Sequence, residues 1–173
     1  MAFRKDGAQI ALLNTEKPWA CLILESDTGK IVRSIPLPTC AESVAWSPDG
    51  GTLATPCYDF KIYLWDTATG TRKAVLTGHS NLGLRAAFDP SGALLASNDF
   101  DGRLRTWDPV LGGSWANLNG GMASDFSTDG RIALSLAGKL ALYQLDPALE
   151  YRSFVHAASP SLNYGRPSIQ AGG

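Results

Sequence analysis

The chain has 173 residues, of which 45% are hydrophobic, and this is enough for one domain with an apolar core. Its 15 Lys and Arg against 16 Asp and Glu leave a formal charge of −1 and no basic cluster, which argues against nucleic acid as a partner. The longest apolar runs, Ala20–Leu24 and Ile132–Leu136, are far below the roughly 20 residues that cross a bilayer, so no membrane partner is expected either.

Cysteine usage and the first residues predict a cytoplasmic location. Cys21, Cys40 and Cys57 are odd in number and lack CxxC spacing, so they fit neither a disulfide framework nor a zinc site. Met1–Gly7 shows no basic segment followed by an apolar one, as a secretory signal would require. We therefore expect three reduced thiols that serve as packing residues.

Two landmarks repeat along the chain with the same period. Turn glycines lie at intervals of 43, 42 and 38 residues, at Gly7, Gly50, Gly92 and Gly130. Pairs of a bulky and a polar residue follow at intervals of 41, 42 and 36, at Leu24-Glu25, Trp65-Asp66, Trp107-Asp108 and Tyr143-Gln144. Such self-similarity is typical of a chain built from one repeated structural unit.

Each repeat is predicted to be a four-stranded antiparallel meander. Apolar β-formers alternate with polar residues, as in Lys61–Trp65, and turn-forming pairs such as Asp101-Gly102 separate the strands. No segment has a sustained helical period, so the expected class is all-β. The predicted units are residues 1–40, 41–82, 83–121 and 122–158, with residues 159–173 as a connection and the start of a truncated fifth unit.

Residues of the middle units resemble those of the WD40 repeat family. The resemblance lies in Leu64-Trp65-Asp66, Thr106-Trp107-Asp108, Thr77-Gly78-His79 and the two Ser/Asp-Pro-x-Gly turns. The first and fourth units are degenerate, because Leu24-Glu25 and Tyr143-Gln144 replace Trp-Asp. The chain is similar to prokaryotic arrays, including those attached to serine/threonine protein kinases. The resemblance implies a β-propeller of about four blades.

The family likeness also implies a hydrogen-bonded tetrad of His, Ser or Thr, Asp and Trp inside a blade. In the third unit it assigns His79, Asp101 and Trp107, with Asp99 at the Ser position. In the second unit Asp59 and Trp65 keep the six-residue interval, no His precedes them, and Cys57 takes the Ser place. The His156 position would serve a further blade. These groups are expected to have a structural role because buried polar atoms must be paired.

Partner binding in this family recurs at the residue before the Asp of the turn between the second and third strands. Those positions are Tyr58 and Phe100, and exposed aromatic residues of this kind are common in interaction hot spots. Packing of both rings against the neighbouring blade is the alternative. Arg85 is a weaker candidate, with a solvated charge as its alternative.

Counting of reactive residues argues against chemistry. The chain has two His, no GxSxG and no HExxH, so no catalytic residue, metal site or cofactor is expected. The predicted function is a protein-interaction scaffold. The alternative is a regulatory or sensing WD40 portion of a larger polypeptide such as a serine/threonine protein kinase, and an enzyme built on a propeller is a third possibility.

The repeat spacing predicts an incomplete ring. Gly173 lies 43 residues after Gly130 and falls on the next turn glycine, as if the array were cut within a fifth blade. WD40 rings commonly hold about seven blades, so four would form an open arc. We therefore expect self-association or pairing with further WD40 blades.

Overall fold

The computed structural model describes the backbone of residues 1–82, 85–119, 122–136, 139–145 and 154–158, and the side chains of residues 1–82, 85–114 and 126–132. Within these ranges the chain contains β-strands and no helix. The strands are β1 (Ala2–Phe3), β2 (Gln9–Asn14), β3 (Ala20–Glu25), β4 (Ile31–Pro36), β5 (Ala45–Trp46), β6 (Thr52–Pro56), β7 (Lys61–Asp66), β8 (Arg72–Thr77), β9 (Arg85–Phe88), β10 (Leu95–Asn98), β11 (Arg103–Trp107), β12 (Ser114–Asn119), β13 (Met122–Phe126), β14 (Arg131–Leu136), β15 (Lys139–Leu145) and β16 (Phe154–Ala158).

The strands form four antiparallel sheets of four strands each, in chain order. We call the sheets blades 1 to 4: β1–β4, β5–β8, β9–β12 and β13–β16. The expected all-β class and the four-stranded blade are thereby confirmed. The unit boundaries drawn from the sequence remain predictions.

Short turns hold each inner strand against the second strand of its blade. In blade 2 the turn closes with a hydrogen bond from Gly50 N to Ser47 O at 2.9 Å, and Asp49 Oδ1 accepts from Gly51 N at 2.9 Å. Gly50 has a φ of 72°, a backbone conformation that glycine adopts without the Cβ clash of other residues. The repeated turn glycine of the sequence therefore fixes where each blade reverses.

The apolar core lies between neighbouring sheets. One buried cluster joins blades 1 and 2 through residues such as Ile23, Ile35 and Leu53. A second cluster joins blades 2 and 3 through residues such as Leu64, Leu95 and Trp107. Strand β7 contributes to both clusters, Tyr63 and Trp65 to the first and Ile62 and Leu64 to the second, because successive side chains point to opposite sides of a sheet.

The blades contact one another in chain order through their inner strands. The first strand of each blade, β1, β5, β9 and β13, lies next to the first strand of the following blade. Across the residues that the structure describes, the four sheets do not close into a ring, in agreement with the expected open arc.

The strand ends define two faces of the arc. We call the end with the β6–β7 and β10–β11 loops the upper face, and the end with the turns after β1, β5, β9 and β13 the lower face. Since the sheets are antiparallel, these two faces lie at opposite ends of the strands. No helix among the described residues is long and apolar enough to span a membrane.

Candidate protein-interaction site

A buried hydrogen-bonded set supports the upper face of blade 3. His79 Nε2 lies 2.7 Å from Ser97 Oγ, and His79 Nδ1 lies 3.0 Å from Asp99 Oδ2. The indole Nε1 of Trp107 donates to Ser97 Oγ at 2.8 Å. All four residues are buried, so each polar atom finds its partner inside the protein.

The donors and acceptors of this set are satisfied in one arrangement. Trp107 donates to the Ser97 oxygen, the Ser97 hydroxyl donates to His79 Nε2, and the His79 Nδ1–H donates to Asp99. This arrangement requires a neutral imidazole. Burial lowers the pKa of His79 below its usual value, although the Asp99 carboxylate opposes that shift, so the neutral form is favoured at pH 7.

The position of the tetrad acid corrects the sequence assignment. Asp99, the residue expected at the serine position, is the carboxylate that contacts His79, and Ser97 supplies the hydroxyl. Asp101 instead accepts a hydrogen bond from Asn81 Nδ2 at 2.8 Å in the exposed loop. The six-residue interval before Trp107 selected the loop acid, whereas the strand places the hydroxyl ten residues before the tryptophan.

In blade 2, too, the hydroxyl that pairs with the tryptophan lies two residues before the position that the sequence predicted. Trp65 Nε1 donates to Thr55 Oγ1 at 2.8 Å, so Thr55 rather than Cys57 occupies the hydroxyl position. Asp59 lies outside this pair and accepts from the Tyr63 hydroxyl at 2.6 Å. Burial and this contact with Asp59 raise the pKa of Tyr63 to about 12. A hydroxyl residue ten positions before each Trp-Asp is the signal that would have identified both pairs.

Ser97, His79 and Asp99 have the connectivity of a hydrolase triad without an accessible nucleophile. The Ser97 side chain is 1% exposed, and its oxygen already holds the Trp107 indole. Attack on a substrate needs a nucleophile that the substrate can reach. In this structure Ser97 is buried and is not placed to meet a substrate.

The two predicted contact residues lie in equivalent loops of the upper face. Tyr58 N donates to Cys40 O and Phe100 N donates to Leu82 O, both at 2.9 Å. Each bond ties the loop inside a blade to the connection that enters the same blade. The Tyr58 side chain is 47% exposed and the Phe100 side chain 63% exposed, so both present rings to solvent on anchored backbone.

Phe60 is a third exposed aromatic residue in this region, which the sequence reasoning did not identify. Its side chain is 40% exposed, and its φ of 64° lies in the left-handed region that disfavours residues with a Cβ. Gly102 occupies the equivalent position of blade 3 with a φ of 71°. The sequence did not mark Phe60, because glycine is the residue expected at a position with a positive φ.

Charged residues of both signs surround the upper-face aromatic residues. A hydrogen bond to Glu42 raises the pKa of Tyr58, and Lys61 Nζ lies 3.5 Å from Asp59 Oδ2. Arg103 Nη1 donates to Ser80 Oγ at 2.9 Å, beside the tetrad of blade 3. Arg85 is exposed at the first residue of β9. The surface thus combines exposed rings with a mixed-charge border.

Metal and thiol chemistry find no support among the described side chains. These residues contain no group of three or more His, Cys, Asp or Glu that could hold a metal ion. Cys21, Cys40 and Cys57 are free thiols, and burial raises the pKa of both Cys21 and Cys57 to about 12. These two thiols remain protonated and unreactive at pH 7. The His156 side chain lies outside the described residues.

The chain forms four-stranded antiparallel sheets, and the first strands of successive sheets lie next to one another. This arrangement defines the β-propeller class. Residues 29–66 and 70–108 each match the family model described as "WD domain, G-beta repeat". The chain therefore contains WD40 repeats, and the family expected from the sequence is confirmed over these two segments.

A solved structure supports the same fold. "Crystal structure of RRP9 WD40 repeats" superposes with a TM-score of 0.71 at 17% sequence identity. The match covers 90% of this chain and 49% of that chain, so this chain spans about half the length of its structural neighbour. No curated protein matches the sequence. WD40 domains are a scaffold type of protein-interaction domain, and this is the class of function that the repeats indicate.

Proposed function

We propose that this chain is a protein-interaction scaffold that binds a protein partner through the upper face and performs no chemistry of its own. The observation that carries the proposal is the paired presentation of Tyr58 and Phe100. Both rings are exposed at equivalent positions of neighbouring blades, and the backbone beneath each one is hydrogen-bonded to a blade connection.

Anchored aromatic residues suit a binding surface for two physical reasons. Tyrosine and phenylalanine bury a large apolar area on contact, and interface hot spots are enriched in aromatic residues. A backbone that is already ordered loses little conformational freedom on binding. The mixed charges of Glu42, Lys61 and Arg85 would then form a polar rim that selects the partner's orientation.

Alanine substitution of both rings tests the proposal. Tyr58→Ala/Phe100→Ala should lose the proteins that the parent chain captures from a lysate of the source cell, with unchanged β-sheet circular dichroism. The matched control is Val110→Ala/Leu111→Ala, which removes two exposed apolar side chains from the β11–β12 turn on the lower face. The captured proteins are then purified and titrated against all three chains.

The outcomes distinguish specific binding from nonspecific hydrophobic adsorption. Loss of affinity in the upper-face variant with retention in the control supports the proposal. Equal affinity of all three chains would place the contact elsewhere. A turnover that copurified with the chain and vanished on one polar substitution would contradict the absence of chemistry.

The open arc leads to a second part of the proposal, self-association or pairing with further WD40 blades. Apolar side chains at the outer strand of blade 1, Ile31 and Val32, are exposed. Bare blade surfaces of repeat proteins are normally covered by a neighbour. Size-exclusion chromatography with light scattering tests this, and a monomer of 18.4 kDa that unfolds cooperatively at all concentrations would contradict it.

The free thiols fit a reducing compartment, so we propose a cytoplasmic location.

A further inference from the structure

The lower ends of the inner strands border a cavity of about 340 Å³ that is open to solvent. Each of the four inner strands ends on an aromatic residue, and all four of these residues line the cavity: Phe3, Trp46, Phe88 and Phe126. The indole of Trp46 is fixed because its Nε1 donates to Ala2 O at 3.1 Å in the neighbouring blade. The cavity lies within the size range of small-ligand sites, which are mostly apolar with a few polar groups.

Most polar groups of the lining are already engaged within their own turns. Asp89 accepts hydrogen bonds from Leu94 N at 2.7 Å and from the Ser91 hydroxyl. Ser47 and Ser127 each donate to the aspartate two positions later and accept from the backbone N–H of the next strand. A ligand therefore gains little by competing for these groups.

Two polar groups of the lining are not engaged in this way, the Thr128 hydroxyl and the Lys5 ammonium, and Lys5 is the charged one. Its side chain is exposed, and nothing in the described part of the chain forms an ion pair or a side-chain hydrogen bond with it. The ammonium group has three donors and no acceptor capacity. The cavity thus combines an aromatic wall with one uncommitted positive charge.

We propose that this cavity is a binding site for a ligand with an aromatic ring and a carboxylate. The ring would stack edge or face against the phenylalanine and tryptophan side chains, and the carboxylate would accept a charge-assisted hydrogen bond from Lys5. A cationic ligand is disfavoured because it would meet Lys5, while the Asp89 carboxylate is occupied by its own turn. This site is separate from the upper-face surface and does not depend on it.

N-acetylphenylalanine and its neutral amide are the probes for this site. Titration of each probe into the ¹⁵N-labelled protein, followed by amide chemical shifts, should move the signals around Lys5, Ser47 and Asp89 and leave those of Tyr58 and Phe100 in place. The acid should bind about three- to tenfold more tightly than the amide, since one partly exposed charge contact separates them.

Two variants separate the contributions of charge and ring. Lys5→Gln should reduce the affinity for the acid to that for the amide, whereas Lys30→Gln, in the exposed β3–β4 turn, should have no effect. Phe3→Ala should weaken both probes, whereas Phe100→Ala, on the upper face, should weaken neither. Phe3 is 59% exposed, so its replacement is expected to leave the melting temperature nearly unchanged.

A free aromatic acid and a peptide that ends in an aromatic residue share this chemistry. The peptide Gly-Ser-Gly-Phe with a free carboxylate distinguishes them, because equal or tighter binding than N-acetylphenylalanine assigns a chain terminus and weaker binding assigns a small acid. Either result supports the proposal. Absence of shifts at the lower face, or equal affinities of acid and amide with no effect of Lys5→Gln, would overturn it.

Discussion

Blades 2 and 3 share a buried tryptophan–hydroxyl hydrogen bond but differ in the residues beside it, which are apolar in blade 2 and polar in blade 3. Both keep a tryptophan indole that donates to a hydroxyl ten residues earlier, Trp65 to Thr55 and Trp107 to Ser97. In blade 3 the hydroxyl then joins His79 and Asp99. Blade 2 has Leu37 and Cys57 at the positions equivalent to those two residues, and both are buried in the apolar cluster.

From this difference we infer that His79 and Asp99 can be replaced without a large loss of stability only when both are replaced together. In blade 2 the Thr55 hydroxyl lies 3.4 Å from Tyr63 O and so does not need an imidazole. A buried polar pair and a well-packed apolar pair can be similar in stability, whereas half of a polar pair leaves an unsatisfied buried group.

The largest effect is expected from removal of the acid alone. Asp99→Ala leaves His79 Nδ1–H and Arg103 N without their acceptor, so the free energy of unfolding should fall by about 2–4 kcal/mol. Cys57→Ala at the equivalent position of blade 2 should cost only about 1 kcal/mol, because a small apolar contact is lost. Urea denaturation measures both values. Equal losses would mean that the two positions are not equivalent.

Replacement of both members of the pair should recover most of that loss. His79→Leu/Asp99→Cys gives blade 3 the side chains of blade 2, and we expect a net loss of about 1 kcal/mol, with each single substitution costing about 2–3 kcal/mol. A double-mutant cycle in urea gives the coupling energy. Additive losses from the two single variants would contradict the idea of a replaceable unit.

The pH dependence of stability should differ between the parent chain and this double variant. The pKa of His79 is lowered in the folded state from its usual 6.5, so the unfolded chain binds a proton at a higher pH than the folded chain does. The contribution of His79 is therefore complete above about pH 6.5 and is lost as the pH falls toward the lowered pKa. Between pH 7.5 and 5 the melting temperature should fall more steeply with decreasing pH for the parent chain than for the double variant. Parallel declines would indicate that His79 does not titrate differently on folding.

The smallest effect concerns the turn that carries Phe60 in blade 2 and Gly102 in blade 3. Gly102→Ala should reduce stability by about 1 kcal/mol, since its φ of 71° is unfavourable for a residue with a Cβ. Phe60→Gly should relieve the corresponding strain and raise stability by about 0.5 kcal/mol. Thermal unfolding of the two variants shows whether each substitution raises or lowers the stability. Destabilisation by both would show that the Phe60 ring contributes more through packing than its backbone costs.

Sequence reasoning reached part of the candidate site. It marked His79 and Trp107, which lie in one hydrogen-bonded set, and it placed Tyr58 and Phe100 in equivalent upper-face loops. It assigned the tetrad acid to Asp101, because an interval along the chain does not tell which of two nearby acids lies inside the blade. Burial decided between them, since Asp99 is enclosed and Asp101 is exposed.

The sequence by itself determined the repeat, the all-β class and the turns, because each depends on local properties: alternation of side chains, glycine backbone freedom and a fixed period. Only the tertiary structure brought together the ends of separate inner strands, so that Phe3, Trp46 and Phe88 line one cavity although more than 40 residues separate Phe3 from Trp46. It likewise decided which polar atoms are paired. Both outcomes depend on how neighbouring sheets pack, and this packing is a property of the assembled blades that no single repeat contains.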